Sequence, residues 1–119
     1  MPSIDIFRRE PSEPFVQGMR IFAQGDAGDT MYAVLEGEIE LHAGERVFEA
    51  VGPGGVFGEM ALLEAKPRSA SATAKTDGKL VKIDQKRFLF LVQNTPFFAI
   101  EVMQLLAERL RRMDANVVR

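Results

Sequence analysis

The 119-residue sequence contains no cysteine and a single histidine, His42. Without a thiol there is no disulfide, no cysteine nucleophile and no cysteine-ligated metal or iron–sulfur centre. The lack of cysteine also fits a reducing compartment. One histidine cannot supply a multi-histidine metal centre, and His42 reads as a surface residue near a hairpin. An excess of basic charge is missing too: 15 Lys and Arg against 17 Asp and Glu give a net charge of −2. Nucleic-acid binding calls for the opposite balance. No apolar run approaches the roughly 20 residues of a membrane span. The opening Met1-Pro2-Ser3-Ile4-Asp5 has no basic-then-apolar targeting layout. Internal repeats and low-complexity segments are absent. What is left is a single cytoplasmic globular domain, or a soluble part of a larger protein, with 46% hydrophobic residues to build a core.

The chain changes character at Asp84. From Ser3 to Phe15, Pro11 and Pro14 argue for extended chain. From Arg20 to Val81 the text is strand and turn. Arg20 to Ala23 is a short apolar strand, stopped by the turn-forming run Gly25-Asp26-Ala27-Gly28-Asp29. Met31 to Leu35 is apolar on both faces, as a buried strand would be. Gly37 marks a bulge or bend. Ile39 and Leu41 alternate with charged neighbours, and Ala43-Gly44-Glu45 reads as a hairpin loop before the return Arg46 to Val51. Gly52-Pro53-Gly54-Gly55 is the strongest turn signal. Ser69 to Thr76 and Lys79 to Ile83 are further strands. After Asp84, a candidate N-cap, Gln85 to Gln93 reads as a helix. Thr95-Pro96 opens a second helix reaching about Val117. Strands followed by helices make this α+β with an all-β core, and about eight short strands favour a jelly-roll or Greek-key barrel.

Chemistry concentrates in Phe57-Gly58-Glu59-Met60-Ala61-Leu62-Leu63-Glu64-Ala65-Lys66-Pro67-Arg68-Ser69-Ala70-Ser71. Gly58 lets a ligand approach the backbone. A short helical turn, Met60 to Glu64, offers backbone N–H groups and partial positive charge to an anion. Arg68 can meet a phosphate with two parallel N–H···O bonds. Ser69 adds a hydroxyl, and Ala70 leaves room. Glu59 would repel phosphate, so its carboxylate must serve a donor beside it, such as a sugar hydroxyl. The set describes a phosphate joined to a ribose.

This segment resembles the phosphate-binding cassette of cyclic-nucleotide-binding domains. These occur in cAMP-dependent kinase regulatory subunits, cyclic-nucleotide-gated channels and bacterial catabolite activators. The carriers are Phe57-Gly58-Glu59, the apolar Ala61-Leu62 stretch, Pro67-Arg68 and Ala70. Upstream, Ile21-Phe22, Gly25-Asp26, Gly28-Asp29, Met31-Tyr32 and Gly37 fit as well; downstream, so do Lys82-Ile83-Asp84 and the Phe88 helix. The resemblance implies an eight-stranded β jelly-roll barrel at about 15–83, a cassette helix, and two C-terminal helices at about 84–117. All of it forms one domain over 1–119. It implies a regulatory sensor for signal transduction that carries no catalytic machinery and no cofactor. Its ligand would be cAMP, with cGMP as the alternative. Glu59 would bond the ribose 2′-hydroxyl and Arg68 the cyclic phosphate. Backbone N–H groups around Gly58, Met60, Ala61 and Ala70 would complete the cradle. Ser69 stands where family members differ with base preference, and the bacterial cAMP-binding members also use Ser.

Two departures carry expectations. Little room precedes the barrel for a helical bundle, and the chain ends at Arg119, where bacterial activators continue into a helix-turn-helix. The expectation is therefore no nucleic-acid contact through this chain, and no membrane contact. In the last helix Ala99, Met103, Leu106, Leu110, Met113 and Val117 form a heptad-like stripe of under three heptads. It suits a homodimer or a partner domain. The first half of the helix is expected in the core. Arg109, Arg112 and Met113, in the second half, are candidates for a lid over the base. Two rivals stand beside this reading: a cupin-type metalloenzyme, which the lone histidine disfavours, and a ligand-free interaction scaffold, which intact Glu59 and Arg68 disfavour.

Overall fold

A computed structural model describes residues 2–64 and 66–117, with side chains described for 5–64 and 66–112. Residues up to Lys86 form one compact unit and residues from Arg87 a second.

The first unit opens on helix α1 (Pro2–Arg8), where the sequence predicts extended chain. The prolines that argue against a helix, Pro11 and Pro14, lie beyond its end. Pro2 sits in the first turn, where a missing N–H costs nothing. Phe7 is fully buried, and α1 lies against β3 (Thr30–Glu36). A seven-residue helix is marginal alone, so burial of that ring accounts for it.

Eight antiparallel strands follow, in two four-stranded sheets. The first has the order β1 (Glu13–Phe15), β8 (Gly78–Asp84), β3, β6 (Val56–Phe57). The second runs β2 (Arg20–Phe22), β7 (Ser71–Ala74), β4 (Ile39–Ala43), β5 (Arg46–Val51). The eight-strand jelly-roll expectation holds, with one correction: among the described residues no ladder joins the two sheets, so the barrel is not closed. The chain changes sheet within a few residues at several points. Between β1 and β2 it does so through Gly18, whose N–H donates to the Ala74 carbonyl at 2.8 Å. The Gly52–Gly55 turn docks on β3, with Gly54 N–H donating to the Val34 carbonyl at 2.9 Å and Val34 N–H to the Gly55 carbonyl at 3.0 Å.

Alternating strand residues fill the space between the sheets: Phe15, Tyr32, Val34, Ile39, Val51, Phe57, Ala72, Ala74 and Leu80. Met31 to Val34 are all buried, the two-faced burial that an unbroken apolar run requires. Helix α2 (Glu59–Glu64) leaves the end of β6.

The second unit is mostly α3 (Gln85–Asn94) and α4 (Pro96–Val117), with bounds close to those read from sequence. The chain turns by 116° between them. Thr95 N–H still donates to the Leu91 carbonyl at 2.8 Å, and Pro96 starts the next helix. The Phe88 and Phe98 rings meet edge to face at 5.5 Å. Among the described residues no single helix is long and apolar enough to cross a membrane.

Candidate functional site

Strand β6 ends in Phe57, Gly58 makes a sharp turn, and α2 starts at Glu59. Gly58 has φ of +78°, a region where side chains are strained. A Cβ there would also stand 2.8 Å from Arg68 Nη1 and 3.3 Å from the Thr30 carbonyl oxygen. Two constraints thus meet at one glycine. Glu59 is 4% exposed and Ala61 is buried, while Met60 is 45% exposed. The α2 turn therefore carries its carboxylate inward and its methionine outward.

The return segment is held by backbone pairing with the loop after β2. Arg68 N–H donates to the Asp26 carbonyl at 2.8 Å, and Gly25 N–H donates to the Arg68 carbonyl at 2.9 Å. Asp26 braces that loop by accepting from Ala23 N–H at 3.0 Å, and Ser71 Oγ accepts from Gln24 N–H at 2.9 Å. The backbone of Arg68 is fixed before its side chain does anything.

The side chain turns inward and is 5% exposed. Nη1 donates to the Gly58 carbonyl at 3.0 Å and Nη2 to the Thr30 carbonyl at 2.7 Å. Cζ lies 4.2 Å from the Phe22 ring centroid and 5.7 Å from that of Tyr32. Nε is buried and has no partner among the described residues. Buried donors are nearly always satisfied, so an orphan on a charged group marks a place where an acceptor belongs. Gly28 borders the same edge: a Cβ on it would fall 2.5 Å from Nε and 2.6 Å from Nη2. Gly28 does not have a positive φ. Its lack of a side chain answers to the guanidinium and not to a turn.

Of the residues singled out from sequence, Gly58 and Arg68 meet through the Gly58 carbonyl, and buried Glu59 follows Gly58 at the start of α2. Ser69 is exposed and Ala70 half-buried, in the bend before β7. Arg109 is half-buried and Arg112 exposed on α4; Met113 lies outside the residues whose side chains are described. Sequence reasoning missed Phe22, Gly28 and Thr30 as neighbours of the guanidinium. Gly28 carried a signal, as a second glycine in a short turn run. Thr30 contributes only a carbonyl, which no sequence displays. His42 bridges the Gly44 carbonyl at 2.9 Å and Thr73 Oγ1 at 2.8 Å. Among the described residues no three His, Asp or Glu side chains cluster in a way that would hold a metal.

Comparison with known proteins fits this geometry. A cyclic AMP receptor protein of Thermus thermophilus is 42% identical over 108 residues, covering 87% of this chain and 50% of its own. The crystal structure of the Thermus thermophilus catabolite activator protein superposes with a TM-score of 0.81 at 35% identity, over 98% of this chain and 55% of that one. A solved structure from a cyclic-GMP-dependent signalling pathway that regulates bacterial phytopathogenesis gives 0.66 at 33% identity, over 93% and 86%. The chain spans about half the length of the curated relatives it matches. The family model of the cyclic nucleotide-binding domain matches residues 12–95. That stretch takes in every strand together with Gly58, Glu59 and Arg68, and the chain belongs to the cyclic nucleotide-binding domain family.

Proposed function

We propose that this chain works as one sensor domain that binds a cyclic nucleotide, cAMP in preference to cGMP, and performs no chemistry on it. The observation that carries the reading is the guanidinium of Arg68. It is 5% exposed, pinned by two carbonyls, and left with an Nε–H beside Gly28 that has no partner among the described residues. A cyclic phosphate accepting from Nε and one Nη satisfies that donor with a charge-assisted pair. Backbone N–H groups of Met60, Ala61 and Ala70 are the proposed remainder of the cradle. Glu59, an acceptor only, takes the ribose 2′-hydroxyl. Exposed Ser69 faces whatever lies outside the cradle.

The preference for cAMP rests on Ser69 and on the name of the Thermus receptor protein, 42% identical to this chain. The cyclic-GMP pathway structure, 33% identical, keeps the question experimental. Calorimetric titration with cAMP and cGMP in parallel decides it. The expected result is one site per chain, with cAMP the tighter ligand. A reversed order assigns Ser69 to guanine, and absence of binding by both removes the functional reading.

The output is proposed to pass through α4 to a partner domain or a second copy, without nucleic-acid contact by these residues. Arg109, Arg112 and Met113 are the proposed lid. A ligand shifts an equilibrium only by touching its two states differently, so lid closure has to appear in hydrogen exchange. Amides from Arg109 onward are expected to gain protection when cAMP is added, while those of Val102 to Leu106 change little. Unchanged protection across 109–117 would mean that the helix is not a lid, and the apolar stripe would then be a standing dimer contact.

A further inference from the structure

We propose that Phe22 is a positioning residue of the anion site: its ring is the floor that holds the Arg68 guanidinium in the orientation that keeps Nε–H unbonded to protein and reserved for a phosphate. The inference rests on the reading of Arg68 as the phosphate contact and adds a residue which that reading does not contain.

An arginine side chain has many rotamers, and a ligand that must order them loses affinity. Here three contacts fix the guanidinium beforehand. The Gly58 and Thr30 carbonyls hold Nη1 and Nη2, and the Phe22 ring lies 4.2 Å from Cζ. The two hydrogen bonds pin the outer nitrogens, and the ring lies against the central carbon. The ring is itself fixed. Phe22 packs on Tyr32 and on Phe57, each with centroids 5.9 Å away. Tyr32 and Phe57 stack at 5.2 Å, and Phe57 is fully buried. The floor is thus continuous with the core between the sheets.

An aliphatic side chain would fill the same space, but it would surround a cation with groups that return nothing for lost hydration. The ring face, with its negative quadrupole, does return something. Gly28 completes the slot. It contributes no atom where a Cβ would fall 2.5 Å from Nε and 2.6 Å from Nη2, so no side chain of its own stands against the edge that carries the buried, unpartnered Nε–H.

Two variants separate ring electronics from packing. One carries a ring-trifluorinated phenylalanine at position 22, which keeps the shape and weakens the negative face. The other is Phe22→Leu. Both are titrated with cAMP, alone and with Arg68→Lys. The fluorinated protein is expected to melt as the parent does and to bind cAMP about fivefold more weakly, in line with a partly desolvated cation–π contact. Phe22→Leu is expected to lose at least as much. With Arg68→Lys, which cannot lie on the ring as a planar fork, neither change should weaken binding further. A fluorinated protein that binds like the parent overturns the inference, and so does an equal loss in both backgrounds, which would indicate packing alone. Should Phe22→Leu fail to fold, the fluorinated protein still decides. A parent that binds no cyclic nucleotide overturns the functional reading itself; a binding parent with unaffected variants overturns only the role of Phe22.

Discussion

Replacing Arg68 with Ala is expected to weaken cyclic-nucleotide binding by at least about tenfold and, in the same protein, to lower the melting temperature. The binding loss follows from hydrogen bonds between charged groups, worth roughly 1.5–3 kcal/mol, about one to two decades in affinity. The stability loss follows from placement. From sequence alone the side chain is expected to face a ligand, and the fold to survive its removal. In the structure it is buried and ties the start of β3 to the β6–α2 turn through the Thr30 and Gly58 carbonyls. Removing it leaves two carbonyls without these donors and a space over Phe22. Removal of a buried charge with an unpaired Nε offsets part of that. A net loss of about 2 kcal/mol, or roughly 8 °C in Tm, is the expected balance. Thermal melts and titrations of Arg68→Ala and Arg68→Lys test both halves. Lys keeps the charge without the planar fork, so it should recover part of the binding. Parent-like binding by Arg68→Ala would show that the site has been placed wrongly. A parent-like melt would show that its carbonyl contacts contribute little.

Much of the fold was legible because its signals are local. Met31 to Leu35 announce a strand buried on both faces, and all but the half-buried Leu35 are buried. Gly44 turns with φ of +58° between β4 and β5, where Ala43-Gly44-Glu45 predicts a hairpin. Thr95-Pro96 separates two helices as capping rules require. The misses have tertiary causes. Helix α1 depends on burying Phe7. Strand β1 contains Pro14, which a central strand would not tolerate, but β1 pairs only with β8 and sits at the sheet edge. Whether eight strands close into a barrel or divide into two sheets depends on which distant edges pair, and no local pattern records that.

The site divides in the same way. Gly58, Glu59 and Arg68 were readable as candidates because residue type and order within one segment point to their proposed chemistry. The environment of Arg68 was not. The loop from Ala23 to Asp29 reaches the guanidinium only because Gly25 and Asp26 pair with the Arg68 backbone, a contact between segments far apart in sequence. Phe22 looked like any apolar strand residue, and Gly28 like any turn glycine. The consequence is that Arg68 contributes at once to the fold and to the proposed site, so its variants need a melt beside every titration.

Glu59 offers a test at the other end of the ligand. A 2′-deoxy cyclic nucleotide is expected to bind the parent protein at least about tenfold more weakly than the 2′-hydroxyl form, and Glu59→Gln is expected to erase most of that difference. Glu59 is 4% exposed at the first position of α2. An ionised carboxylate has acceptors and no donor, so beside a phosphate its place is against a hydroxyl. In a buried setting such a charge-assisted bond is worth roughly 1.5–3 kcal/mol, which sets the tenfold expectation. Gln retains shape and one acceptor oxygen but not the charge, and a neutral hydrogen bond is about half as strong. The ratio between the two ligands should therefore fall to a few-fold. Taking the ratio within each protein cancels any general loss of affinity caused by the substitution. It also separates Glu59 from Arg68, because Arg68→Ala removes a contact that both ligands make equally and should leave the ratio near its parent value. Equal affinity of the parent for the two ligands would exclude Glu59 from ribose recognition and leave its buried carboxylate as a structural group at the head of α2.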